Sequence, residues 1–147
     1  MDDPLSAFDL LPDAARLWVF AAREPIGRRE GEALRRGVEA FLPSWSSHDR
    51  PVGASGFAVL HGRFLLVAAD ESATAVSGCS KDAMFRAVRE AGAAAGVAWA
   101  PTGDVFYRGP GGGVARAGRA AFADLVYRIQ KNTAANGSSR PPTGSSR

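Results

Sequence analysis

The chain has 147 residues, enough for one hydrophobic core and short for two ordinary domains. Its 46% hydrophobic and 22% charged content is that of a globular protein, and no stretch approaches the roughly 20 consecutive apolar residues of a membrane helix. The formal charge is +3, but Arg140 and Arg147 lie in an acid-free tail after Asn132, leaving 16 basic against 15 acidic side chains, a near balance that argues against a nucleic-acid partner.

In chain order, residues 1–15 carry four aspartates among scattered leucines and read as a lead-in segment or short helix. The acidic opening Met-Asp-Asp-Pro is unlike the basic start of a secretory signal, and a lone cysteine cannot close an internal disulfide. Both features point to the cytoplasm. Arg16 to Ala22 is a short aromatic and β-branched run, the pattern of a buried strand. From Gly27 to Leu42, Ala33, Leu34, Val38 and Phe41 recur at helical spacing among charged residues. Pro43 to Gly53, with two prolines and three serines, reads as a long loop carrying Trp45, His48 and Asp49.

Ala54 to Leu60 and Arg63 to Ala69 are apolar runs joined at His61-Gly62, which predicts a two-residue hairpin. Met84, Ala87, Val88, Ala91 and Ala95 predict a second helix ending at Gly96. Val97 to Ala100 and Asp104 to Arg108 predict a fourth strand, interrupted or split. Gly109 to Gly113 predicts a flexible loop, and Ala117 to Lys131 a third helix. Residues 16–132 are thus expected to form a single α+β domain, and residues 133–147 a disordered tail.

The order β-α-β-β-α-β-α contains the split β-α-β pattern (βαββαβ) of ferredoxin-like domains, with an additional C-terminal helix. With right-handed crossovers, the loop before the second strand and the loop after the third open at the same sheet edge. Trp45, His48 and Asp49 would then face Asp70, Glu71, Ser77, Cys79 and Ser80.

At that edge Ser80 reads as a helix N-cap with Asp82 in the first turn, and Cys79 as the residue just before the helix. Helix N–H dipoles favour a thiolate, so Cys79 is a candidate nucleophile, His48 its base, and Asp70 or Glu71 an orienting group. The same terminus, through Ser77, Gly78 and Ser80 with Trp45 and Asp49 opposite, is alternatively an anion-binding site. A buried structural cysteine is the plain competing use. His48, Cys79 and one carboxylate would make three zinc ligands, but at no familiar spacing, so no metal is assigned and no cofactor is indicated. No Gly-x-x-x-x-Gly-Lys-Ser/Thr sequence occurs, which excludes a P-loop ATPase on its own signature, and no RNA-binding aromatic consensus is present.

The Leu-Trp-Val-Phe strand, Trp45-Ser-Ser-His48, Arg63-Phe64, Asp70-Glu71-Ser72 and Ser77-Gly78-Cys79-Ser80-Lys81-Asp82 together resemble a family of short bacterial proteins often labelled "ABC transporter ATPase". The resemblance covers roughly residues 16–95, is most specific at Ser-Gly-Cys-Ser-x-Asp, and implies no particular activity. Asp49 departs from it, glycine often following the histidine there, as does Lys81 in place of a small or apolar residue.

Two readings remain open. One is a Cys79/His48-centred site for thiol chemistry or for a small anionic ligand. The other is a non-catalytic interaction module that dimerises through the sheet face left bare by a single helical layer.

Overall fold

Alternation gives Arg16–Ala21, strand β1, two different faces: Trp18 and Phe20 pack toward the core, whereas Leu17 and Val19 stay exposed. The computed structural model describes residues 3–137, which form two units divided between Ala100 and Pro101. The protein is mixed α+β, with antiparallel sheets.

In the first unit β1 is followed by α1 (Arg28–Phe41), β2 (Ser46–Ser47), β3 (Arg50–Pro51), β4 (Ser55–Leu60), β5 (Phe64–Ala69) and α2 (Gly78–Ala95). The main sheet has the order β1-β5-β4, antiparallel throughout, with Val19 and Ala58 both opposite Leu66. Its core face sets Leu65, Val67 and Ala69 against Leu34 and Val38 of α1 and Met84, Val88, Ala91 and Ala95 of α2. The helices meet closely: a Cβ on Gly37 would lie 2.7 Å from that of Ala91. A single helical layer therefore covers one face of the sheet. On the other, the turn of 3₁₀ helix at Pro4–Phe8 approaches β4 so closely that a Cβ on Gly56 would lie 2.8 Å from the Ala7 carbonyl oxygen.

The β4–β5 connection is longer than the predicted two-residue turn. Leu60 pairs with Phe64, leaving His61, Gly62 and Arg63 between the strands, the first two at positive φ (55° and 56°). Arg63 leaves that ladder for the end of β1. Its carbonyl accepts from Ala22 N–H at 2.8 Å, and its buried guanidinium donates from Nε to Ala22 O and from Nη2 to Arg23 O.

The expected fourth strand divides. Trp99 bridges Ala22 in antiparallel sense, with Arg23 N–H donating to Ala98 O and Ala100 N–H to Ala21 O, so Val97 to Ala100 stays with β1. Proline at 101 begins the second unit, where β6 (Val105–Arg108) pairs with β7 (Val114–Ala117) ahead of α3 (Arg119–Gly137). The expected loop at Gly109 to Gly113 is the connection of this hairpin, held by Arg108 donating to Gly112 O. β7 lay within what reads from sequence as a loop leading to a helix; its short Val-Ala-Arg-Ala pattern is too brief to signal a strand alone. α3 continues to Gly137, past the start of the expected tail, and residues 138–147 lie outside the described residues.

The segment expected as a long loop, Pro43 to Gly53, is a 3₁₀ turn (Leu42–Ser44) followed by the β2–β3 hairpin. Ser47 pairs with Arg50, so His48 and Asp49 are its two turn residues, at φ 50° and 62°. Two consecutive left-handed residues are what a two-residue type I′ turn needs, and glycine meets that need at the second position without strain. Asp49→Gly is accordingly expected to stabilise the protein by about 0.5–1 kcal/mol, read as a higher urea midpoint at constant m. An unchanged or lower midpoint would contradict the turn assignment.

Candidate functional site

The hairpin segment and the start of α2 are locked together by four hydrogen bonds. Trp45 Nε1–H donates to Ser80 O at 2.9 Å, and Trp45 itself is buried. Ser47 Oγ donates to Ala75 O at 2.9 Å and accepts from Ser77 N–H at 3.2 Å. Ser80 Oγ donates to Ser46 O at 2.6 Å. That uses the only proton of the Ser80 hydroxyl, so in its 2.9 Å contact with Ser77 Oγ the Ser77 hydroxyl is the donor. Among the described residues no buried side-chain polar atom lacks a partner.

The N-cap of α2 is therefore Ser77, whose Oγ accepts from Ser80 N–H at 3.2 Å, and not Ser80 as the sequence suggests. Ser80 is buried, and its hydroxyl serves the hairpin. The three-residue shift places Gly78 and Cys79 inside the first turn of the helix instead of before it, and puts Asp82 beyond that turn. A serine three residues from another serine offers two equivalent-looking caps; only the tertiary contact with Ser46 and Ser47 distinguishes them. Cys79 is exposed.

The two carboxylates hold the intervening loop. Asp70 Oδ1 accepts from Ser72 N–H at 2.9 Å; this backbone bond, with a further one from the Ser72 side chain, holds the Asp70 carboxyl below its ordinary pKa. Its stabilising effect is present above the unfolded-state pKa and is lost as pH falls through the folded-state value. Glu71 Oε1 accepts from Val76 N–H at 3.0 Å and lies 3.6 Å from Arg16 Nη1, whose guanidinium also sits over the Trp18 ring.

Beside the lock is an open cavity of about 350 Å³ lined by Ser47, His48, Arg50, Ala73, Thr74, Ala75 and Ser77. No family model, curated protein or solved structure matches the chain. The site therefore rests on its own geometry. Of the residues singled out from sequence, His48 and Ser77 line this cavity. Trp45 and Ser80 form its buried support, and Asp70 and Glu71 shape the adjoining loop. Cys79, Gly78 and Asp49 are not among the lining residues. Arg50 and Thr74 escaped the sequence reading. The signal available for Arg50 was the His-Asp turn itself, which implies that the residue after it returns alongside Ser47. Among the described residues no group of three His, Cys, Asp or Glu side chains is placed to hold a metal ion.

Proposed function

We propose that the cavity between the β2–β3 hairpin and the start of α2 binds a small anion, such as a phosphate or carboxylate group. Of the two chemistries expected for this edge, thiol reaction or anion binding, the lining favours the second. The supporting observation is its composition: Arg50, His48 and the Thr74 hydroxyl line it with no carboxylate among the lining residues, while Ser47 and Ser77, whose hydroxyl protons go to Ala75 O and Ser80 Oγ, form its wall. Arg50 has no ion pair among the described residues, so its charge is available to a ligand. The N-terminus of α2 adds a favourable dipole at the Ser77 side.

Thermal unfolding in increasing inorganic phosphate tests the proposal. A ligand at tenfold excess over its Kd stabilises the folded state by about 1.4 kcal/mol, a rise of several degrees in Tm for a protein of this size. The rise is expected in the wild type and in Cys79→Ser and is expected to vanish in Arg50→Ala. A wild-type Tm indifferent to phosphate, or an Arg50→Ala response equal to wild type, would overturn it.

For the first unit we infer a ferredoxin-like split β-α-β arrangement. The sheet order β1-β5-β4 together with the bridge from Trp99 to Ala22 on the free side of β1 supports it, Val97 to Ala100 standing as the fourth strand. A second functional reading, dimerisation through the sheet, is favoured by Leu17 and Val19, 49% and 59% exposed on the face away from the helices. A monomer in sedimentation equilibrium at high micromolar concentration would dismiss it.

A further inference from the structure

The near-balance of charge along the whole chain conceals a division between its two units. Residues 1–100 carry eleven basic and thirteen acidic side chains, net −2; residues 101–147 carry seven and two, net +5. An asymmetry of this kind, invisible in the total, is a signature of a polyanion-binding segment. We propose that the second unit binds single-stranded nucleic acid, an activity distinct from the anion cavity of the first unit.

Three observations carry the proposal. First, the unit has surface to offer: no residue from 101 to 135 is fully buried, although it includes Phe106, Tyr107, Phe122, Leu125 and Val126. Second, its cations divide into two groups. Arg116 is paired with Asp104, and Arg108 holds the hairpin connection at Gly112 O, whereas Arg119, Arg128 and Lys131 are exposed on α3 with no ion pair among the described residues. Asp124 is the single acid on that helix. Third, Tyr127 is 59% exposed on the same helix, with the ammonium of one of these cations, Lys131, 5.4 Å from its ring centroid. An exposed aromatic face among cations is how single strands are held without sequence preference: bases stack on the ring while the charges follow the phosphates.

A membrane surface would require α3 to separate an apolar face from a basic one. Its apolar and polar residues are poorly segregated, with exposed Tyr127 and Ile129 flanking Arg128. Nucleic acid makes no such demand.

Fluorescence anisotropy of the full chain with a labelled 20-nucleotide single-stranded RNA of mixed sequence, between 50 and 200 mM NaCl, tests the proposal. With three phosphate contacts, log K is expected to fall against log salt with a slope of about −2, roughly a 20-fold loss over that range. The variant Arg119→Gln/Arg128→Gln/Lys131→Gln is expected to bind at least about tenfold more weakly at 50 mM salt and to lose most of the slope. Tyr127→Leu is expected to weaken binding about fivefold or more while keeping the slope. All four positions are exposed, and circular dichroism verifies the fold of each variant. Absence of RNA binding by the wild type at 50 mM salt, undiminished binding by the triple variant, or capture by phosphatidylserine vesicles in preference to RNA would each overturn the proposal.

Discussion

Trp45→Ala is expected to destabilise the first unit by about 3–5 kcal/mol, the range for removing a large buried aromatic side chain. The indole is 2% exposed and lies with its ring centroid 5.8 Å from those of both Trp18 on β1 and Phe41 of α1, so its loss opens a void at the junction of sheet, helix and hairpin. The hydrogen bond to Ser80 O goes with it. Trp45→Phe separates the two contributions, because it retains much of the ring contact and removes the donor; about 1 kcal/mol is expected from the hydrogen bond, together with a smaller packing loss. Urea denaturation measures both, with lower midpoints at constant m. Hydrogen exchange at the start of α2 is expected to accelerate in both variants. A change below 1 kcal/mol for Trp45→Ala would mean that the hairpin is not anchored through this side chain.

Arg63→Ala is expected to lower stability by about 2–4 kcal/mol. Two charge-assisted hydrogen bonds to Ala22 O and Arg23 O are removed from a buried position, each of a kind typically contributing about 1.5–3 kcal/mol, and the methylene stem loses its packing. Losses at one side chain do not add fully, which sets the upper end of the range. Arg63→Lys retains the charge but has no planar fork to reach two carbonyls at once, so it is expected to recover only part of the loss. Equal stabilities for the lysine and arginine proteins in thermal or urea unfolding would show that the geometry of the guanidinium is irrelevant.

What could be read in the sequence was whatever rested on periodicity. The apolar runs at Leu17 to Phe20 and Leu65 to Ala69 mark their strands, with Trp18, Phe20, Leu65, Val67 and Ala69 on the core face, and the helical recurrence of Leu34 with Val38, and of Met84 with Val88, points to the same core. The Gly96 stop was equally legible, since a left-handed φ of 76° at a helix end suits glycine above other residues. Meeting of the 45–49 and 77–80 segments at one sheet edge followed from crossover handedness and is realised in the bonds from Trp45, Ser46 and Ser47 to the start of α2.

Features set by tertiary contact were not legible. Proline and serine in the 43–53 segment mark irregular chain by composition, yet a hairpin of two residues per strand survives there because Trp45 and Ser47 are buried against α2. The choice of Ser77 over Ser80 as N-cap depends on Ser46 and Ser47, some thirty residues away. Arg63, which alternation assigns to a strand, leaves the ladder because Ala22 and Arg23 offer it three backbone partners' worth of hydrogen bonding at the end of β1. The charge division at residue 100 was present in the sequence throughout, but only the boundary between the units makes the two halves the right quantities to compare.

The register Arg16↔Ala69 has a consequence for synthesis. β1 emerges from the ribosome with Leu17, Trp18, Val19 and Phe20 already in strand pattern, but its partner β5 is made about fifty residues later, after α1 and both short hairpin strands. β4 and β5, in contrast, are joined by three residues and can pair as soon as both exist. Until then the apolar edge of β1 has no ladder to join, and closing the long loop that separates the two strands carries the larger entropic cost. The interval in which this nascent chain is most prone to self-association is thus set by the length of chain between Ala21 and Phe64.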